Sequence, residues 1–262
     1  MSGVLALVLI LSAVTSALLP SASALDGSAS LLEKGQALLK QGNFQEAADS
    51  FERAIKADPE NVAAWKGKGE ALAGLGRYKM ARICFDYALR YKPKDAQLWL
   101  NAARASELDG DREDAVQAYD RALALDGGLS GAWIGKGNIS LSKKDYADAL
   151  ANFENATKSG ANGAAIVAGE VAARQGMGNS SLESSDYAGA LQSFEAALAI
   201  DPISIVAWNG KSRALIGLGR LDEALLSCDK ALRINPANRE ARIDKAAILA
   251  AKGRDAQKSG DV

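Results

Sequence analysis

The stretch V-A-A-W-K-G-K-G-E-A-L-A-G-L-G-R-Y-K-M-A-R-I-C-F-D-Y-A-L-R-Y-K-P-K-D, residues 62–95, decides the fold because the chain repeats it. Trp65, Trp99 and Trp133 stand 34 residues apart, as do Pro59 and Pro93 and, further on, Pro202 and Pro236. A fixed period of this length marks stacked units, each too small to bury its own apolar face. Numbering every unit 1 to 34 gives repeats at 28–61, 62–95, 96–129, 130–163, 171–204 and 205–238. Position 20 is Ala47, Ala81, Ala115, Ala149, Ala190 and Ala224; position 27 is Ala54, Ala88, Ala122, Ala156, Ala197 and Ala231. Position 8 is always small (Gly35, Gly69, Ala103, Gly137, Gly178, Ser212). Position 24 is aromatic from Phe51 to Phe194 and becomes Cys228 in the last repeat.

Within a repeat the apolar spacing predicts two amphipathic helices of about 14 residues, over positions 1–14 and 18–31. Small residues at 8, 20 and 27 let helix axes approach, and large ones at 4, 17 and 24 fill the space beside them. Gly42, Gly76, Gly110 and Gly219 at position 15 suit the left-handed residue after a helix end, and Pro near position 32 closes the second helix. Repeats three and four depart from this, with Arg112 at 17, Gly127 and Ala161 at 32 and Lys144 at 15, which predicts looser turns. Tyr146 and Tyr187 are 41 residues apart, seven beyond the period. Seven residues are about two helical turns, so one long helix over 164–183 keeps its face in register; Gly160, Gly163 and Gly169 offer a flexible joint as the alternative. Arg174 in place of Trp at position 4 predicts loose stacking of repeat five on repeat four. A last helix over 239–252 is expected to cap the array with Ala246, Ala247 and Ala250 inward and Arg239, Arg242 and Lys252 outward. Gly253 is expected to stop it before a polar tail at 253–262.

The pattern of Trp or Leu at 4, small at 8, Tyr or Phe at 17, Ala at 20, aromatic at 24, Ala at 27 and Pro at 32 resembles the tetratricopeptide repeat. The resemblance implies an all-α fold, a right-handed α-α superhelix or solenoid of six helix pairs with its capping helix over 25–252. It further implies that first helices line a concave groove, with positions 2, 5, 9 and 12 turned toward it. Positions 5 and 9 are Leu32, Gln36, Lys66, Glu70, Leu100, Arg104, Ile134, Asn138, Gln175, Asn179, Asn209 and Arg213. Amides donate and accept at once, which suits the backbone of an extended peptide. Some family members clamp a C-terminal carboxylate. Lys66 and Asn101 match two of the clamp places, but Glu70 replaces the first Asn, and Gly131 and Gly135 replace the Lys and Arg, so a chaperone-tail receptor is not implied.

Composition narrows the function further. The 31 Lys+Arg nearly balance 32 Asp+Glu, which argues against a nucleic-acid binder needing a basic surplus. With no His, the Ser-His-Asp, Cys-His and His-metal sites are excluded, and no metal or cofactor constellation is read. Cys84 and Cys228 lie 144 positions apart on second helices and read as small core residues. Residues 4–19 are an apolar run without charge, ended by Pro20 and followed by the A-x-A pattern Ala22-Ser23-Ala24. This reads as a signal peptide over 1–24, or, since no Lys or Arg precedes the run, an uncleaved anchor, the one case in which a membrane enters; either places the folded part outside the cytoplasm. Asn138, Asn155 and Asn179 head N-x-S/T sequons and are candidate glycan acceptors in an exported chain. The expected function is an exported, non-enzymatic scaffold whose partner is a protein or peptide. The alternatives are a self-associating structural component and, remotely, an enzyme working with carboxylates alone.

Overall fold

The computed structural model describes residues 22–259, and the proposed leader at 1–24 lies almost wholly outside them. Among the described residues the chain is thirteen α-helices without a strand. They fall into two compact units that divide between Asp126 and Gly127. The first holds α1 (Ala22–Lys40), α2 (Phe44–Ala57), α3 (Val62–Gly74), α4 (Tyr78–Tyr91), α5 (Ala96–Asp109) and α6 (Arg112–Leu125). The second holds α7 (Ser130–Ser142), α8 (Tyr146–Lys158), α9 (Ala164–Glu183), α10 (Tyr187–Ile200), α11 (Ile205–Gly217), α12 (Leu221–Ile234) and α13 (Arg239–Ser259). No helix among the described residues is long and apolar enough to cross a membrane.

Helix ends are fixed locally. Side chains of Asn61, Asp95, Asp111, Asp145, Asp186 and Ser204 accept from the backbone three residues on, removing one orphan N–H at each helix start. The turn inside each pair is left-handed, with Gly76 at φ 73°. Lys144 and Ser185 take the same conformation at φ 62°. The turn at Lys144 is therefore not looser: Lys144 N–H donates to Leu141 at 3.0 Å and Asp145 N–H to Ser140 at 2.9 Å, matching the bonds around Gly76.

The core is built on aromatics wedged between helices. Phe51, Phe153 and Phe194 are fully buried. A Cβ added at Gly35 or Gly67 would fall within 3.0 Å of the Phe51 ring, at Gly137 or Gly169 of the Phe153 ring, and at Gly178 or Gly210 of the Phe194 ring. Each ring thus sits between a glycine of its own first helix and one of the next, so these backbones approach more closely than any side chain would allow. Across the seam, Lys at position 7 reaches the acid at position 25 of the preceding repeat: Lys68 to Glu52 at 3.2 Å, Lys211 to Glu195 and Lys245 to Asp229 at 2.7 Å. The Trp indoles donate to the carbonyl at position 32, Trp65 to Pro59 at 2.8 Å, Trp99 to Pro93 and Trp208 to Pro202 at 2.9 Å. Trp133 does the same to Gly127 at 3.0 Å, so the carbonyl rather than the proline ring is what the tether needs.

The extra heptad is absorbed inside α9, which spans the predicted 164–183 as one helix. Gly169 faces Phe153 and Gly176 faces the Tyr146 ring, whereas Gly178 faces Phe194. Counted from Ala164, Gly169 and Gly176 hold positions 6 and 13; counted from Val171, Gly178 holds position 8. One helix therefore packs upstream in one register and downstream in another, seven residues later. The expected loose stacking at Arg174 is not found: Ile166 and Ala173 are buried against Phe153, and Arg174 pairs with Glu154 at 3.5 Å.

The terminal helix differs from expectation. α13 continues through Gly253 to Ser259, and Ala246, Ala247 and Ala250 are exposed. Ala241 and Ile248 are the inward residues, two turns apart, while Lys245 is drawn to Asp229 and Asp244 to Arg213. Alanines offer little apolar area, so the isoleucine and the ion pairs set the rotation of the helix. Arg242 replaces the tryptophan of other repeats and donates to the Pro236 carbonyl at 2.6 Å.

Candidate functional site

The first helices carry the residues expected to line a groove, and each unit gathers its own set. In the first unit, Lys66 and Glu70 lie one turn apart on α3 and pair at 3.6 Å. Asn101 on α5 donates to the same Glu70 carboxylate at 3.4 Å and accepts from Gln97 at 3.1 Å. Four polar side chains from two helices thus share one half-exposed surface, joined by long bonds that a ligand's donors and acceptors can replace. Arg104 is exposed nearby. The buried Tyr119 hydroxyl donates to Glu107, and burial followed by that carboxylate pushes its pKa up, so it remains a donor. Leu100, at position 5, is buried and does not face solvent, because that position lies in the seam between successive first helices.

In the second unit the expected residues divide. Asn138 on α7 and Asn179 on α9 are exposed. Gln175 donates to the Ser204 hydroxyl at 2.7 Å, bracing the residue that caps α11. Asn209 is 4% exposed and does not open onto a groove; it donates to Asn238 at 3.3 Å and to Glu240 at 2.9 Å. Asn238 accepts from Ala241 N–H at 2.7 Å, so Asn209 repeats the bracing role of Gln175 one repeat later. Arg213 reaches Asp244 at 3.4 Å and Glu240 at 3.5 Å. Burial pushes the Asp244 carboxyl above its ordinary range, and Arg213 opposes the shift. Of the sequon residues, Asn155 sits half-buried on the second helix α8.

Gln97 and Glu240 were missed by the sequence reading. Both occupy position 2 of their first helix, and carrying that position forward along with 5 and 9 identifies them. A hollow of about 670 Å³ adjoins the first unit's surface at the turn from α4 to α5, bordered by Lys92, Pro93, Asp95 and Gln97 and so sharing Gln97 with it. Among the described residues no group of three or more His, Cys, Asp or Glu is arranged around a common centre for a metal. The arrangement offers hydrogen bonds and charge to a bound chain.

Comparison with known proteins agrees with this architecture. A family model for the tetratricopeptide repeat matches residues 32–83, 75–130 and 134–202, and a second tetratricopeptide model matches 181–226. A solved tetratricopeptide repeat protein from Parabacteroides merdae is 18% identical, with 87% of each chain covered and a TM-score of 0.56. The protein MamA is 18% identical over 80% of this chain and 93% of its own at a TM-score of 0.47. YrrB, described as a tetratricopeptide protein with an unusual peptide-binding site, is 17% identical over 82% and 90% at 0.44. No curated protein matches the chain. The family matches span well over half of the sequence and fall on the helix pairs that form the two units, and so the chain belongs to the tetratricopeptide repeat family.

Proposed function

We propose that this chain is an exported, non-enzymatic scaffold that holds an extended peptide or protein segment along its first helices. Tetratricopeptide repeats mediate protein and peptide interaction. The observation that carries the placement here is the Lys66, Glu70, Asn101 and Gln97 surface on α3 and α5. It presents a cation, an anion and two amides within reach of one another, the mixture that satisfies both the N–H and the C=O of a bound backbone. Exposed Asn138 and Asn179 offer the same chemistry in the second unit, and Arg104 adds charge in the first. The residues bracing the seams, Gln175, Asn209 and Arg213, act by holding successive first helices in place. Export rests on the apolar run at 4–19 and the small-residue pattern after it.

The test is quantitative recovery of partners from an extracytoplasmic extract on wild-type protein and on a Glu70→Lys, Asn101→Ala variant. Loss of one or more partners with retained helical signal is expected. Equal recovery by both proteins removes the assignment of this surface.

A further inference from the structure

On second helices position 19 is Glu46, Asp114, Asp148, Gly189 and Glu223 in five repeats, while position 26 is Arg53, Arg121, Asn155, Ala196 and Lys230. On α4 the same places hold Met80 and Tyr87, with Ile83 between them and Tyr91 beyond. Their exposures are 51%, 48%, 36% and 46%, and their spacing of three and four residues sets them in one stripe along the helix. An acid in the first turn favours the helix dipole; Met80 gives that up without being buried, and Ile83 is as exposed, so packing does not account for these two. Tyr87 is held in place, its ring 4.5 Å from Trp65 with the planes 15° apart and the Arg90 guanidinium 4.5 Å from its centre.

Around the stripe Arg77, Lys79, Arg90, Lys92 and Lys94 are all exposed, and none forms an ion pair among the described residues. Asp86, the one acid within α4, is paired with Arg82. This concentration of cations sits on a chain whose net charge is -1. A second copy of the chain would bring the same five cations against these and be repelled. The flanking helices are mixed in charge, with exposed Arg53 and Lys56 beside Glu46 and Asp49 on α2 and exposed Arg112 and Arg121 beside Glu113 and Asp120 on α6. An anionic bilayer, wider than one helix, would therefore meet no further cationic surplus there. A single acidic helix lying along α4 meets the five cations where the surplus is confined.

We propose that the exposed face of α4 docks an acidic amphipathic helix of a partner protein. Its apolar residues, spaced by three or four, pack on Met80, Ile83, Tyr87 and Tyr91, and its carboxylates meet the five flanking cations. The mixed charge of α2 and α6 offers it no comparable surplus of cations, which favours its place along α4. The two sites share no residue, and Met80 and Ile83 lie on neither α3 nor α5, so either site can fail without the other.

The experiment selects displayed peptides of about 16 residues, long enough to span α4 as a helix, on the full chain, with counter-selection on a Met80→Glu, Ile83→Glu variant. Enriched peptides are expected to carry carboxylates beside apolar residues at helical spacing. Their binding is expected to weaken by roughly tenfold or more in the variant and to weaken as salt rises. A Met80→Gln, Ile83→Gln variant gives the same reading without added charge if the first loses helical signal. The proposal is overturned if no peptide distinguishes wild type from variant, or if the enriched peptides lack acids. Co-sedimentation of wild type, but not the variant, with phosphatidylglycerol vesicles would also overturn it, in favour of a lipid surface.

Discussion

Glycine beside phenylalanine is the residue-scale device of this protein. Gly67 lies mid-helix, where glycine costs about 1 kcal/mol relative to alanine, yet a Cβ there would strike the Phe51 ring. Overpacking a core of this kind costs about 1–3 kcal/mol, so the ring decides the sign. Gly67→Ala is expected to lower the melting temperature in the wild type and to raise it in a Phe51→Leu background, which a thermal double-mutant cycle reads directly. The opposite case is Lys144, a β-carbon residue held at φ 62° where four other repeats place glycine. Left-handed backbone costs a non-glycine residue roughly 1 kcal/mol, so Lys144→Gly is expected to stabilise the second unit by about that amount in denaturant unfolding.

At the scale of elements, α9 shows what a repeat tolerates. Its two registers differ by seven residues, a rotation of about 20° from two full turns, so the same face serves both neighbours. Removing 164–170 leaves that face in place, although Glu183 then falls at position 13, opposite Tyr146. Removing only 164–168 turns the downstream face by about 140° and exposes what should be buried. Cooperative unfolding with a reduced midpoint is expected for the seven-residue deletion, and loss of cooperativity in the second unit for the five-residue one. Helix existence was legible because caps, left-handed turns and apolar spacing are all local. The length of α9 was legible from the 41-residue spacing. The rotation of α13 was not: Ala246, Ala247 and Ala250 have no side chain large enough to announce a direction, and Ile248, Asp244 and Lys245 set it through partners on other helices. Asn209 misled for the same reason, since its partner Asn238 is 29 residues away.

For the whole molecule, stability in a stacked array is close to a sum of neighbouring seams, so charge acts where it is placed and not through the net value. Two carboxylates that pair across helices of the first unit are held below their ordinary values. Burial pushes Asp114 up, but the Ser106 hydroxyl and the Arg82 guanidinium outweigh it and hold Asp114 below its ordinary value. Glu52 is lowered by Lys56 and Lys68. A carboxylate with a depressed folded pKa contributes stability that is present above its unfolded value and lost as pH falls through the folded one. In the second unit Asp244 is raised, so it works against the fold at neutral pH and is relieved as it protonates. Glu223 is lowered by Arg220, but that pair is exposed and lies within the start of α12, so it does not bear on a seam. Acidification below the ordinary carboxylate range, about pH 4, should therefore loosen α2 to α6 ahead of α11 to α13. Hydrogen exchange resolved by peptide across an acid series reads the two regions separately. Simultaneous loss of protection, or earlier loss around Asp244, would show that these seams do not govern acid stability; Arg82→Met should abolish much of the difference, because it removes the cation that keeps Asp114 ionised.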